Sequence, residues 1–338
     1  MTLTDDDIRQ AARILEAGGL VAFPTETVYG LGADAENPAA IAKIYAAKGR
    51  PSNHPLIVHL ASEADISDWS DEVPEVARKL IAAFWPGPLT LILKRSARVQ
   101  DSVTGGQDSI GLRCPSHPVA QALLRAFKKG KGGVAAPSAN RFGHVSPTTA
   151  QHVQNEFGND ARIDAILDGG QSEVGIESTI LDLSRWETHG PVLLRPGHIG
   201  AERIAEVIGI MPAMPDMDAP RASGSLDAHY APRTPVVLIA VNQMEAQLIE
   251  LGMAGRRVAV MFHSAPAFGG AVLNRKLPSD AAGYAHDLYA ALRALDEADA
   301  DVIVVEAPSQ DVAWQGVNDR LRRATHDSSG LLAQLTDA

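Results

Sequence analysis

Two short stretches carry residue types suited to an anionic ligand. In "AAKGRPSNHP", Lys48 and Arg50 flank a single glycine. An arginine fork beside a lysine point charge combines bidentate geometry with neutralisation, which is what a polyphosphate requires. In "AAPSANRFGHVSPT", Ser138 and Asn140 place a hydroxyl and an amide on one side of any extended backbone. Each pair also has a plain structural reading. A cation in the last turn of a helix gains about 0.3–1 kcal/mol from the helix dipole alone, which would account for Lys48. A Ser/Asn turn commonly closes a strand. Arg50 precedes Pro51 and lies beyond the expected helix, so helix packing does not explain it.

Further polar groups recur at the ends of apolar runs. "LVAF" passes into "PTETVYGLG", with Thr25, Glu26 and Thr27; "LIVHL" carries His59, with His54 on the loop before it. "GIESTILDL" opens on Glu177, Ser178 and Thr179, "LLRPG" ends on Arg195, and "DAHYAP" holds His229 and Tyr230. A lone strand histidine such as His59 is either a ligand contact or a satisfied half-buried residue. The ends of strands are where an α/β sheet places its ligand crevice, and glycines such as Gly30 and Gly32 let a loop turn sharply or approach a ligand. Standard nucleotide and metal signatures are not met. "GLGADA" lacks the third glycine of the dinucleotide fingerprint, "GKGGVAAPS" is not a Walker loop, and the eleven histidines show no paired metal-ligand spacing.

The elements that must position these residues alternate. Helical patterns cover residues 5–19, 38–48 (Asn37 as N-cap, Pro38 at the first position, Gly49 after the end), 74–85, 119–127, 149–157 and 201–208. Between them lie strand-like runs at 20–23, 56–60, 89–94, 109–115, 132–140, 165–168, 178–183 and 192–197. Gly30 to Ala35 reads as loop. This alternation, with hairpins near its end, predicts an α/β domain on a mixed sheet over residues 1–210. Residues 211–235, with five prolines and little apolar periodicity, read as a stiff linker or lid. Residues 236–338 hold three apolar strands and two helical segments, which predicts a smaller Rossmann-like α/β domain.

Bulk properties narrow the class. The 338 residues suit two domains, and 45% hydrophobic with 21% charged residues is an ordinary globular balance. The acidic start lacks an apolar signal region, no apolar run approaches a membrane span, and the single Cys114 excludes an internal disulfide. A cytoplasmic protein without membrane contact is expected. The net charge of −11 argues against a general nucleic-acid coat. Two tracts, 37–62 and 109–155, nevertheless contain no Asp or Glu while carrying Lys48, Arg50, Arg113, Arg125, Lys128 and Arg141. These are either local positive potential or solvated basic faces.

The ordered motifs "PTETVYGLG", "KGRPSNHPLIVH", "WPGPLTLIL", "SIGLRCPSHP", "APSANRFGHVSPT", "GIESTILDL", "LLRPG" and "HYAP" resemble those of YrdC-domain threonylcarbamoyl-AMP synthases, in the longer two-domain form. The resemblance spans nearly all of residues 5–235 and reaches the second domain mainly through "DRLRRA". It implies a YrdC-like twisted mixed sheet and the condensation of L-threonine, bicarbonate and ATP into threonylcarbamoyl-adenylate, with release of pyrophosphate. The product would pass to the machinery that makes threonylcarbamoyladenosine on tRNA, with room for a weak tRNA contact. The family's tetrad falls on Lys48, Arg50, Ser138 and Asn140. Its ATP contacts fall on Arg50, His54, Ser138, Ser146, Arg195 and Tyr230, and its threonine contacts on Thr27, His59, Ser109 and Ser178. Mg²⁺ would be carried by ATP, with no metal held by the protein, Glu26 would be structural, and Tyr230 would belong to a lid. Two other readings share the surface or the fold: a double-stranded RNA-binding module on the positive concavity, and a carbamoyl-transfer domain of the hydrogenase-maturation kind, whose zinc-finger cysteines are missing from this chain.

Overall fold

The computed structural model describes residues 3–158, 160–224, 230–328 and 330–336; His229 lies outside them. Contacts divide the chain into two compact units, Met1–Phe142 with Pro147–Ser225, and Gly143–Ser146 with Leu226–Ala338.

The first unit is built on strands β1 (Val21–Phe23), β2 (Gly30–Asp34), β3 (Ile57–His59), β4 (Leu89–Lys94), β5 (Ser109–Arg113), β6 (Val134–Ala135), β7 (Ala165–Ile166), β8 (Thr179–Asp182) and β9 (Val192–Arg195). They form one mixed sheet in the order β7-β1-β2-β6-β3-β5-β4-β8-β9. The pairs β1/β7, β3/β5 and β4/β8 are parallel, and the remaining neighbours are antiparallel. Helices on the sheet bury their apolar stripes. The first, Asp5–Glu16, is started by a reciprocal capping box between Thr4 and Asp7 and buries Ile8, Ala11, Ala12 and Leu15. In Pro38–Lys48 the Asn37 side chain accepts from the amides of Ala39 and Ala40, and Gly49 ends the helix in the left-handed region at φ 64°. That stop puts Lys48 in the last turn and frees Arg50 from the helix.

β2 corrects the reading of Gly30 to Ala35 as loop. All five residues of "GLGAD" are buried between β1 and β6. Its glycines serve close packing here, since a Cβ on Gly32 would lie 2.8 Å from both Phe23 and Val134. Thr25, Glu26 and Thr27 likewise belong to a buried turn.

The chain beyond the helix Ala201–Ile208 lies along the same sheet. The Ala213 carbonyl accepts from Leu193 and its amide donates to Pro191, while Ala222 is buried against Ile92, Ile180, Val192 and Leu194.

In the second unit β10 (Val236–Ile239), β11 (Val258–Phe262), β12 (Leu273–Lys276) and β13 (Val302–Glu306) form an all-parallel sheet in the order β10-β13-β11-β12. Helices Val241–Met253, Ala281–Asp296 and Gln315–Ala324 accompany it. The sequence reading named neither β12 nor the helix Val241–Met253. "LNRK" is a half-exposed edge strand without an apolar face, so its pairing with β11 alone defines it.

Candidate active site

Lys48 is buried, and its ammonium donates to the backbone carbonyls of Ser138, at 2.6 Å, and Asn140. Lys48, one half of the first pair, therefore meets both members of the second, through their main-chain carbonyls. Burial, and next the charge of Arg50, hold the Lys48 ammonium well below the ordinary lysine range, with Glu156 and Glu177 opposing. The Phe142 amide closes the junction by donating to the Lys48 carbonyl at 2.8 Å. Asn140 is wholly buried and donates from its side chain to the Arg141 carbonyl at 2.7 Å. Ser138 is half-buried and bridges Gly30.

Arg50 lies beside a second cation. It donates to the Pro55 carbonyl at 2.9 Å and reaches Ser223 Oγ at 3.4 Å. Arg195, at the end of β9, donates to the Ser223 carbonyl at 2.7 Å and forks onto Ser178, whose carbonyl accepts at 3.0 and 2.9 Å and whose Oγ accepts at 3.1 Å. Ser178 Oγ also lies 2.8 Å from Thr90 Oγ1. Ser109, at the start of β5, lines a narrow pocket with Pro55, Ile57, Ile180 and Ser223, the last of which both arginines contact. His54 is a half-buried turn residue set edge-on to Phe142, 5.6 Å between ring centres. Burial, then the charges of Arg50 and Arg221, push its imidazole below the ordinary value.

The threonine-rich turn is tied to the same region. The Ala139 amide donates to the Tyr29 carbonyl at 2.8 Å, and the Val174 amide to the Glu26 carbonyl at 2.7 Å, so the segments leading to Asn140 and Ser178 both run beside residues 24–29. Thr27 is buried, with its hydroxyl 2.9 Å from that of Thr25. Glu26 pairs with buried Arg113 at 2.6 Å and accepts from the Ser116 amide at 3.0 Å. Both its oxygens are occupied in holding the turn. His59 ends β3 next to Phe23, 6.1 Å between ring centres, and its Nδ1 has no hydrogen-bond partner among the described residues. Burial, and then Arg113, push its pKa down to about 3, so it is neutral at ordinary pH.

Ser146 and Tyr230 group instead with the second unit. Tyr230 is buried there at φ 61°, against Tyr289 at 5.8 Å and beneath the Arg320 guanidinium at 5.6 Å. Sequence reasoning passed over Thr90 and Ser223. Thr90 becomes visible only through the parallel register that sets Leu89 beside Thr179, and Ser223 only through the return of the chain to the sheet.

Cations, hydroxyls and an amide gather at the strand ends of a mixed α/β sheet, where such folds place a ligand crevice, and these are residue types suited to an anion. Two family profiles match the chain in succession: the Sua5/YciO/YrdC family described as "Telomere recombination" over residues 13–197, and "Threonylcarbamoyl-AMP synthase, C-terminal domain" over residues 199–326. Among curated relatives, threonylcarbamoyl-AMP synthase of Pyrococcus abyssi is 39% identical, over 94% of this chain and 94% of its own length. That of Bacillus subtilis is 39% identical over 96% of this chain and 94% of its own. The crystal structure of P. abyssi Sua5 complexed with L-threonine superposes with a TM-score of 0.88 at 37% identity, covering 96% of each chain. The chain belongs to the YrdC-domain threonylcarbamoyl-AMP synthase family, in its two-domain form.

Proposed function

We propose that this protein condenses L-threonine, bicarbonate and ATP into threonylcarbamoyl-AMP. The threonine amine and bicarbonate form a carbamate with loss of water. A carbamate oxygen then bonds to the α-phosphorus as the bond to the β-phosphate oxygen breaks, and pyrophosphate leaves. Such chemistry asks for positioning and charge stabilisation more than for covalent help. The observation that carries the reading is that Lys48 bonds the Ser138–Asn140 loop while Arg50, two residues on, shares Ser223 with the Arg195–Ser178 fork.

In this scheme Arg50 and Arg195 face the phosphates. Lys48 sets the shape of the Ser138–Asn140 loop and adds its charge when a polyphosphate arrives. Ser138 and Asn140 meet phosphate or carbamate oxygens, and His54 lies beside the nucleotide. Thr27, His59, Ser109 and Ser178 hold the amino acid. Ser146 and Tyr230 keep the ATP assignment that the family resemblance gives them. Mg²⁺ enters as part of the substrate, bound to ATP. The side chains gathered here are cations, hydroxyls and amides, and among the described residues no three His, Cys, Asp or Glu side chains group to hold a metal.

Among the described residues no helix is long and apolar enough to cross a membrane. A cytoplasmic place, with the adenylate handed to a tRNA-modifying threonylcarbamoyltransferase, accords with that chemistry. The deciding experiment is mass spectrometry of the product formed from ATP, bicarbonate and a panel of amino acids. Threonylcarbamoyl-AMP, with pyrophosphate release that needs both threonine and bicarbonate, is expected; release indifferent to either would overturn the assignment.

A further inference from the structure

Thr90 is fully buried in β4, and among the described residues its hydroxyl meets one polar partner, Ser178 Oγ at 2.8 Å. Ser178 is equally buried, so one of the two protons serves this contact and the other needs a third group; Ser178, the residue placed against the substrate, can find that group there, so Thr90 donates to Ser178. Arg195, which can only donate, reaches the same oxygen from the other side at 3.1 Å. Both lone pairs of Ser178 Oγ are then used, and its own proton has to find a third group. Among the described residues none accepts it. The Thr25 hydroxyl donates to the Val28 carbonyl at 2.6 Å and accepts from the Thr27 and Val28 amides at 3.3 and 3.2 Å, so it is fully engaged within its own turn.

We infer that Thr90 is a positioning residue which makes Ser178 an obligatory donor, so that the amino-acid substrate is met at Ser178 through an acceptor oxygen and not through its ammonium. This rests on the proposal above that Ser178 contacts the amino acid. An α-amino acid suits this polarity, since its carboxylate accepts where Ser178 donates. A hydroxyl that does not itself meet the substrate, on Thr90, sets which way the contacting hydroxyl of Ser178 points its proton.

The test is calorimetric binding of L-threonine to the full chain, without ATP or bicarbonate, paired with steady-state KM values for threonine and ATP. Losing one donor should weaken threonine binding about fivefold to tenfold in Thr90→Val. The KM for ATP should move less than twofold, and Thr90→Ser, which keeps the donor, should restore affinity. If Thr90 acts through Ser178, then Thr90→Val adds nothing to the loss already caused by Ser178→Ala. Unchanged threonine affinity in Thr90→Val, additive losses in the double variant, or an equal rise in both KM values would each overturn the inference. Should Thr90→Val not fold, Thr90→Ala is judged by the same readouts. A wild-type chain that binds threonine but releases no pyrophosphate sinks the proposed reaction and leaves the polarity argument to be decided by binding; one that does not bind threonine sinks the inference itself.

Discussion

Arg50 and His59 show how burial changes what a residue can do. Arg50 is held by the Pro55 carbonyl and Ser223, so its charge is aimed before any substrate arrives. Removing a preorganised donor from a developing charge typically costs on the order of 10²–10³ in rate. Arg50→Ala is accordingly expected to lower threonine-dependent pyrophosphate release by about that factor, with the melting temperature within a few degrees of wild type. Activity within a fewfold of wild type would remove Arg50 from the reaction. His59 makes a pH prediction. Its pKa is about 3 in the folded chain against 6.5 for a free imidazole. Between those values the unfolded chain binds the proton and the folded chain does not, so stability falls as pH drops from 6.5 towards 3. From pH 7 to pH 5 this single group withdraws about 2 kcal/mol. In His59→Gln the loss of urea stability over that interval should be smaller by this amount; identical losses in the two proteins would contradict a neutral buried imidazole.

At the scale of elements, β2 and the helix Pro38–Lys48 do the positioning. β2 carries the Thr25–Tyr29 turn at one end and is bridged to Ser138 at Gly30, so its registry sets the distance between the threonine-rich turn and the serine–asparagine loop. Gly32 permits the close approach of Phe23 and Val134. Gly32→Ala should destabilise the protein by about 1–3 kcal/mol through overpacking, read as a lower urea midpoint with unchanged slope. A neutral effect would mean that β2 is free to shift. The helix end is equally specific. The helix ends at Gly49 and the Arg50 amide bonds back to the Tyr45 carbonyl at 3.0 Å, so Lys48 faces inward to the Ser138–Asn140 loop and Arg50 faces Pro55 and Ser223. Adjacent residues in a continuing helix would have pointed about 100° apart per position, and both could not have served one site.

Across the whole molecule, the acid-free basic tracts resolve into pairs with acids far away in sequence. Arg113 is matched by Glu26, Arg125 by Glu63, and Lys128 by Asp34 and Glu36, at 2.6 to 2.8 Å. Little uncompensated charge is left from these residues to follow a nucleic-acid backbone, and the comparisons do not favour the RNA-binding reading. Each phosphate neutralised steepens the log–log dependence of affinity on salt by about 0.9. Titration with tRNA should therefore give binding no tighter than about 10⁻⁵ M near physiological salt and a shallow slope. Submicromolar affinity with a steep slope would restore an RNA-binding role.

The helices before and after the cationic pair, most strands of the first unit, and the polar clusters at the strand ends were legible in the chain itself, because apolar periodicity, caps and turn residues act locally. The Asn37 cap and the Gly49 stop are of this kind. So was the family, carried by motifs in fixed order. Other features were decided only by folding. β2 reads as loop until Phe23 and Val134 close on its glycines, and β12 has no apolar face of its own. The structural role expected of Glu26 finds its partners only in the fold, where Arg113 and the Ser116 amide take both of its oxygens. Lys48 looks aimed at a ligand until its ammonium is found on the Ser138 and Asn140 carbonyls, and the pairing of Thr90 with Ser178 depends on strand register. Hydrogen bonds between residues some 90 positions apart leave no periodic trace, because nothing local determines which donor a buried acceptor will meet.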